Sequence, residues 1–160
     1  VYINNKVRIK LQGVRRIIME IKLYDLGKIR GERLRSAVIV SVINNRFVYV
    51  RRKGEKTWEL SGGCKLQGED IDNAASRELK EETGAVKFSM IPVSDYSIKD
   101  EKNGTTYGRI YYSEIEELGR LSDIGVEEIM FSEYMPKNLT YPEIQPVFLG
   151  RVIDKINRNH

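Results

Sequence analysis

The sequence predicts a mixed α/β layered domain, and three observations carry that prediction. Apolar stretches of strand length, alternating or continuous, recur along the chain. Two segments carry helical spacing, one just after residue 70 and one at the C-terminal end. Strands interrupted by helices at separate points build layers of helix on sheet rather than a bundle or a β-sandwich. The 160 residues suffice for one domain with a substantial core, residues 1–160.

Taken in order, "VRIKL" (7–11) and "IIMEIKL" (17–23) alternate apolar and polar residues and predict half-buried strands. The polar "YDLGKIRGERLRS" (24–36) reads as a connecting loop. "AVIVSVI" (37–43) and "RFVYVRR" (46–52) flank Asn44 and Asn45, a pair that tolerates positive φ, so a hairpin is expected. "TWEL" (57–60) predicts a short strand leading into Gly62 and Gly63. The following helix has Asp70 or Asp72 as its N-cap and Gly84 just past its end, with no proline inside. "VKFSMIPVSDYSI" (86–98) and "TYGRIYYSEI" (106–115) straddle "KDEKNGT", a second hairpin. "EEIMFSEY" (127–134) is a further strand. From Pro142 onward, Val147, Phe148, Leu149, Val152, Ile153 and Ile156 predict an amphipathic helix.

Composition narrows the class without naming an activity. Hydrophobic residues make up 41% and charged residues 31%, ordinary for a soluble protein. No apolar run approaches the ~20 residues that span a bilayer. "VYINNKVRIK" lacks the apolar stretch of a secretory signal. One cysteine excludes an internal disulfide framework and suits a reducing cytosol, so the expectation is a cytoplasmic chain with no membrane partner. Cys64 reads as a small loop residue rather than a nucleophile, because the single histidine is His160 at the far end. The net charge of +4 is scattered over "RR" (15–16), "KIRGERLR" (28–35) and "RRK" (51–53), mostly as solvated surface. That balance accommodates nucleic acid, an anionic membrane or polyanionic small molecules and does not choose among them.

The informative segment is "GGCKLQGEDIDNAASRELKEETGA" (62–85). At about 100° per residue, Glu81 and Glu82 fall within ~60° of Glu78, on the side that also carries Ala74, Ala75 and Leu79. Asn73, Ser76, Lys80 and Thr83 take the opposite side. Acids that share the apolar side of a helix repel one another and resist desolvation. A divalent cation among them resolves the conflict, and oxygen-only ligation selects a hard ion, Mg²⁺ or Mn²⁺. The plainer alternative is an Arg77–Glu81 pair at i,i+4 with the other acids solvated.

At these residues the chain resembles the Nudix hydrolase family, whose box reads G-x5-E-x7-R-E-U-x-E-E-x-G-U, U being bulky and aliphatic. Gly63, Glu69, Arg77, Glu78, Leu79, Glu81, Glu82 and Gly84 fall on that pattern, and Ala85 stands at the last U. "WELSGG" is similar to the "W-E-F-P-G-G" lead-in of the antimutator (MutT-like) branch, with Ser61 in place of the proline. "RFVYVRR" and "MPKNL" resemble that branch too, so the likeness runs roughly over residues 36 to 150. The resemblance implies a Nudix-type α/β/α sandwich with a mixed β-sheet, in which the box forms a loop–helix–loop holding Mg²⁺ or Mn²⁺.

It further implies Glu78 and Glu82 as principal metal ligands, Glu81 as a ligand directly or through water, and the Gly62 carbonyl as another oxygen donor. Arg77 would orient a glutamate, Glu78 first, and Glu69 would act through water or hold the loop. One more acid from a late loop is expected, with Asp123, Glu127 and Glu128 as candidates. The reaction implied is hydrolysis of a nucleoside diphosphate linked to a further group, by in-line attack of an activated water on phosphorus.

Arg51 and Arg52 are the candidates for phosphate binding, Arg52 favoured by the branch resemblance, against simple solvation at a strand end. Asn138 stands where the branch reads the base edge, or else merely forms a turn. Tyr96, Tyr107, Tyr111, Tyr112 and Phe131 are aromatics for stacking or for the core. The leading expectation is a nucleoside triphosphate pyrophosphohydrolase, with oxidised dGTP as a candidate substrate. An RNA 5′ end, ADP-ribose or a dinucleoside polyphosphate stays open. A nucleotide-sensing module without turnover is the competing class, disfavoured because every box acid is present. A homodimer through the N-terminal strands is compatible with the sequence.

Overall fold

The computed structural model describes residues 3–9 and 17–159. Residues 10 and 11 of the first expected strand, Arg15, Arg16 and His160 lie outside the described residues. The elements run β1 (Ile3–Ile9), β2 (Ile17–Asp25), a 3-10 turn (Gly31–Arg33), β3 (Leu34–Ile43), β4 (Arg46–Arg52), β5 (Ser61–Cys64) and α1 (Ile71–Thr83). β6 (Ala85–Asp100), β7 (Gly104–Leu118), β8 (Val126–Ser132) and α2 (Gln145–Arg158) complete the order.

The strands form one mixed sheet in the order β1-β2-β6-β7-β3-β4-β8, with β5 paired to β3 off that path. β3 and β7 run parallel and the other pairs antiparallel. Period-two alternation then divides each central strand between two cores. Ile39, Val48 and Tyr111 pack with Ile71, Ala75 and Leu79 of α1. Their neighbours Val40, Tyr49 and Ile110 pack with Phe148, Leu149 and Val152 of α2. The result is helix, sheet, helix: the α/β/α sandwich. No helix among the described residues is long and apolar enough to cross a membrane.

Asn44 and Asn45 adopt φ of 47° and 61°, the paired positive values that close the β3–β4 hairpin. The β6–β7 hairpin is longer than expected, its turn held by the Asp100 carboxylate accepting from the backbone of Lys102 and Asn103. Three expectations are corrected. The connecting loop ends early, because β3 begins at Leu34 and its side chain is fully buried. "TWEL" is not a strand: Trp58 and Glu59 make only isolated bridges, and the strand is Ser61–Cys64, where the glycines themselves pair with β3. The last helix starts at Gln145 rather than Pro142, with Pro146 in its first turn, where the missing N–H costs nothing.

The loop before β3 is held from inside. Asp95, fully buried, accepts from the Gly27 and Ile29 N–H groups at 3.0 and 3.2 Å and from Arg109 Nε at 2.6 Å. A buried carboxylate satisfied on both oxygens fixes the segment that leads the chain toward the β3–β5 pairing.

Candidate active site

Asp70 caps α1, its Oδ1 accepting from Asn73 N–H at 2.8 Å. Asp72 is not the cap; it accepts from the Tyr111 hydroxyl at 2.5 Å. Gly84 closes the helix at φ 75°. With both ends fixed, α1 lies against the β3–β5 pairing, and this approach decides which acids turn inward.

Burial corrects the stripe expected from helical geometry. Glu82 is 3% exposed and Glu78 is half-buried, whereas the Glu81 side chain is 51% exposed. Thr83, expected outward, is buried because its hydroxyl donates to the Leu79 carbonyl and accepts from Ala85 N–H where the chain turns into β6. Glu78 and Glu82, one turn apart, form the inward pair.

Two guanidiniums hold the acids. Arg77 donates through Nε and Nη2 to the two oxygens of Glu69 at 2.7 and 3.0 Å. It also donates to Glu78 at 2.9 Å, Glu81 at 3.2 Å and the Cys64 carbonyl at 3.1 Å. Its hydrogen bond, assisted by Leu66 N–H, draws the Glu69 carboxyl below the usual range. Arg52 pairs through Nε with Glu59, a buried acid outside the box. Arg52 Nη2 donates to the Gly62 carbonyl at 3.2 Å and lies 3.0 Å from Glu82 Oε2.

That last approach supplies charge but lacks hydrogen-bond alignment, so Glu82 Oε2 is sealed from solvent without a hydrogen bond. Oε1 accepts from Gly62 N–H at 2.7 Å. Burial pushes the Glu82 carboxyl up to about 7, opposed by the Gly62 N–H and Arg52, and reinforced by Glu78 and Glu59.

The glycine pair permits this packing. A Cβ on Gly62 would collide with the Ala37 carbonyl oxygen across the β3–β5 ladder, and one on Gly63 with the Glu78 carboxylate. Gly63→Ala should leave the fold intact, since the Glu78 carboxylate can swing aside, but lower activity about tenfold by displacing that carboxylate. Thermal melting and kcat/KM measured together check this; a wild-type rate removes the close approach from the argument.

The donor set suits a hard divalent ion. Among the described residues no three of His, Cys, Asp and Glu converge as a ready-made cage. Glu78, whose carboxylate lies against Gly63, the unbonded Glu82 Oε2 and the Gly62 carbonyl are oxygen donors at the loop–helix junction. Mg²⁺ is commonly held by one or two carboxylates, with waters and substrate phosphates completing its shell.

Beside this junction opens a cleft of about 330 Å³. Val38, Ile98, Tyr96 and Phe148 give it apolar walls, Arg52 and Glu59 its polar end, and Tyr141 and Gln145 the side formed by the start of α2. Tyr96 and Phe148 bury against each other with ring centroids 4.5 Å apart, and Tyr96 OH pairs with Ser36 at 2.7 Å. Tyr141, 53% exposed, has a free face.

The other expected residues stand elsewhere. Arg51 donates to Glu127 and Glu128 at 2.8 and 2.7 Å and lies over Trp58, so those two late acids and Arg51 engage one another rather than the box. Asp123 is exposed and offers its backbone carbonyl to Lys53. Asn138 is exposed; its side-chain nitrogen donates to Lys56 O at 2.8 Å, and its backbone carbonyl accepts from Trp58 N–H. Tyr111 is core, Tyr107 stacks under Arg33, Tyr112 donates to Glu114, and Phe131 is exposed outside the cleft. Glu59, Tyr141, Gln145 and Phe148 were not singled out as functional residues. No local signal marks Glu59, since alternation between the apolar Trp58 and Leu60 would face it outward, yet it is buried.

A loop–helix–loop presenting paired carboxylates beside a nucleotide-sized cleft, in this sandwich, defines a Nudix pyrophosphohydrolase. Residues 32–139 match the family model described as NUDIX domain, more than half of the chain, and the chain belongs to that family. Solved structures agree on the fold. The Bacillus subtilis pyrophosphohydrolase BsRppH superposes with a TM-score of 0.71 at 19% identity, over 85% of this chain and 91% of that one. A MutT NUDIX hydrolase from Burkholderia pseudomallei gives 0.60 at 19%, over 73% and 95%. A C. elegans Ap4A hydrolase gives 0.59 at 18%, over 76% and 98%. No curated protein matches the chain. Enzymes of this family generally use divalent metal ions and act on nucleotides.

Proposed function

We propose that this protein hydrolyses a nucleoside triphosphate to the monophosphate and pyrophosphate, using Mg²⁺ or Mn²⁺ at the junction of β5 and α1. The observation that carries the reading is Glu82, an acid 3% exposed whose Oε2 has no hydrogen bond. Burying a carboxylate oxygen without a hydrogen bond is costly, and Arg52, 3.0 Å away but unaligned, offsets only its charge; a bound cation would complete it. Glu82, Glu78 and the Gly62 carbonyl would hold the ion. When bound, the ion neutralises phosphate oxygens and acidifies a water for in-line attack at phosphorus.

The chain's own residues do the rest. Arg77, anchored on Glu69, sets the position of Glu78. A box glutamate would take the proton from the attacking water, and the exposed Glu81 is the candidate least enclosed by the protein. Arg52, held at Nε by Glu59, would add positive charge beside the phosphates. Tyr141, half-exposed at the cleft, would offer a stacking face for the base. Asn138 gives no support to oxidised dGTP in particular, because its side-chain nitrogen is engaged with Lys56.

A second reading is a 5′-triphosphorylated RNA end. It draws on Tyr141 standing half-exposed at the cleft, where a terminal base would stack while the rest of the strand continues into solvent. Incubation with Mg²⁺ and a panel of (d)NTPs, oxidised dGTP, triphosphorylated RNA, ADP-ribose and Ap4A, followed by product identification, decides. We expect monophosphate and pyrophosphate from (d)NTPs, and no reaction with chelator. Faster turnover of ADP-ribose or Ap4A than of every triphosphate would reject the proposal, and binding without turnover would favour a sensor.

A further inference from the structure

We infer that Gln145 determines base specificity by donating a hydrogen bond to a carbonyl oxygen on the nucleobase edge, favouring guanine and uracil over adenine and cytosine. This rests on the cleft being the nucleoside site of the function proposed above.

Gln145 is the first residue of α2, lines the cleft, and is 5% exposed. Its amide is not free to flip. Leu60 N–H donates to Oε1 at 3.3 Å, and only the oxygen can accept that proton. The other end of the amide is therefore NH₂. That nitrogen makes no hydrogen bond among the described residues, and unlike Glu82 Oε2 it is not sealed from solvent. A side chain nineteen-twentieths buried thus keeps two unused donors on a wall otherwise lined by Phe148, Ile144 and Tyr141.

Tyr141 lies one helical turn earlier, tied to it by Gln145 N–H donating to the Tyr141 carbonyl at 3.1 Å. Tyr141 and Gln145 line the same cleft, so a base stacked there on the free face of Tyr141 would come within reach of the Gln145 amide. Guanine and uracil bring a carbonyl oxygen to these donors. Adenine and cytosine bring an amino group on the corresponding edge, which sets donor against donor and leaves both unpaired.

Gln145→Glu keeps the acceptor for Leu60 N–H and converts the donor into an acceptor. The test is calorimetric binding of GMP, UMP, AMP and CMP to the full chain, a readout that needs no turnover. Wild type should bind GMP and UMP roughly tenfold more tightly than AMP and CMP. Gln145→Glu should reverse that order, and Gln145→Met, of similar volume with neither donor nor acceptor, should erase it. If the glutamate variant does not fold, as judged by melting, loss of the preference in the methionine variant alone supports the inference. An unchanged preference in a folded variant overturns it, and so does the absence of any base preference or of any monophosphate binding in the wild type. Hydrolysis of triphosphates with no base preference would sink Gln145 while leaving the proposed reaction standing.

Discussion

Glu82→Gln should lower kcat/KM by about 10³-fold while leaving the fold in place. The substitution is nearly isosteric. The glutamine Oε1 can still accept from Gly62 N–H, now 2.7 Å from Glu82 Oε1, so the β5 backbone keeps its anchor. What disappears is the charge on Oε2, the atom that has only Arg52 nearby and no aligned donor. Without that charge the proposed cation site would lose its most desolvated ligand, where electrostatic interactions are strongest. The metal-free variant should melt close to the wild type, because the change also removes a buried anion that burial disfavours. Glu82→Ala would confuse the matter by opening a cavity and orphaning the Gly62 N–H. Titration calorimetry with Mg²⁺, with and without a nucleotide, should show weakened ion binding in the glutamine variant. Unchanged hydrolysis with unchanged ion affinity would remove Glu82 from the metal site and, with it, the observation on which the proposed function stands.

How far the sequence reveals this site differs from residue to residue, and the reason is whether local spacing or long-range pairing decides. The box helix was legible, since its capping aspartate, its terminal glycine and the spacing of its acids are all local signals. Even there, helical geometry misplaced Thr83, because the turn at Gly84 carries the chain back over the last residues of α1. Arg51 and Arg52 show the limit more sharply. Adjacent strand residues face opposite sides, and only the pairing of β4 with β8 puts Arg51 against Glu127 and Glu128 and leaves Arg52 to the box. The strand Ser61–Cys64 went unseen because Gly62 and Gly63 carry no hydrophobic pattern, although their pairing with Val38 and Ala37 builds the floor of the site. The cleft was illegible for the same reason. Gln145 and Phe148 meet Leu60 and Tyr96 across sequence separations that no local window spans.

Arg77→Lys should lower kcat/KM by about 10²-fold, nearly as much as Arg77→Ala, although it keeps the positive charge. The reason is shape. One guanidinium serves both oxygens of Glu69, then Glu78, Glu81 and the Cys64 carbonyl, through three nitrogens fixed in one plane. A lysine ammonium offers a single nitrogen and cannot form the fork to Glu69 while reaching Glu78. Glu69 would lose the partner that holds the loop of residues 64–69 against α1, and Glu78 would lose the group that fixes its carboxylate over Gly63. Because the Arg77 bonds run to protein groups, it acts as a positioning residue, and the effect should appear first in metal dependence. The Mg²⁺ concentration for half-maximal rate should rise severalfold more than the KM for nucleotide in Arg77→Lys. A lysine variant with wild-type metal dependence would mean that charge alone suffices at this position, and that the forked geometry contributes nothing to how Glu78 is held.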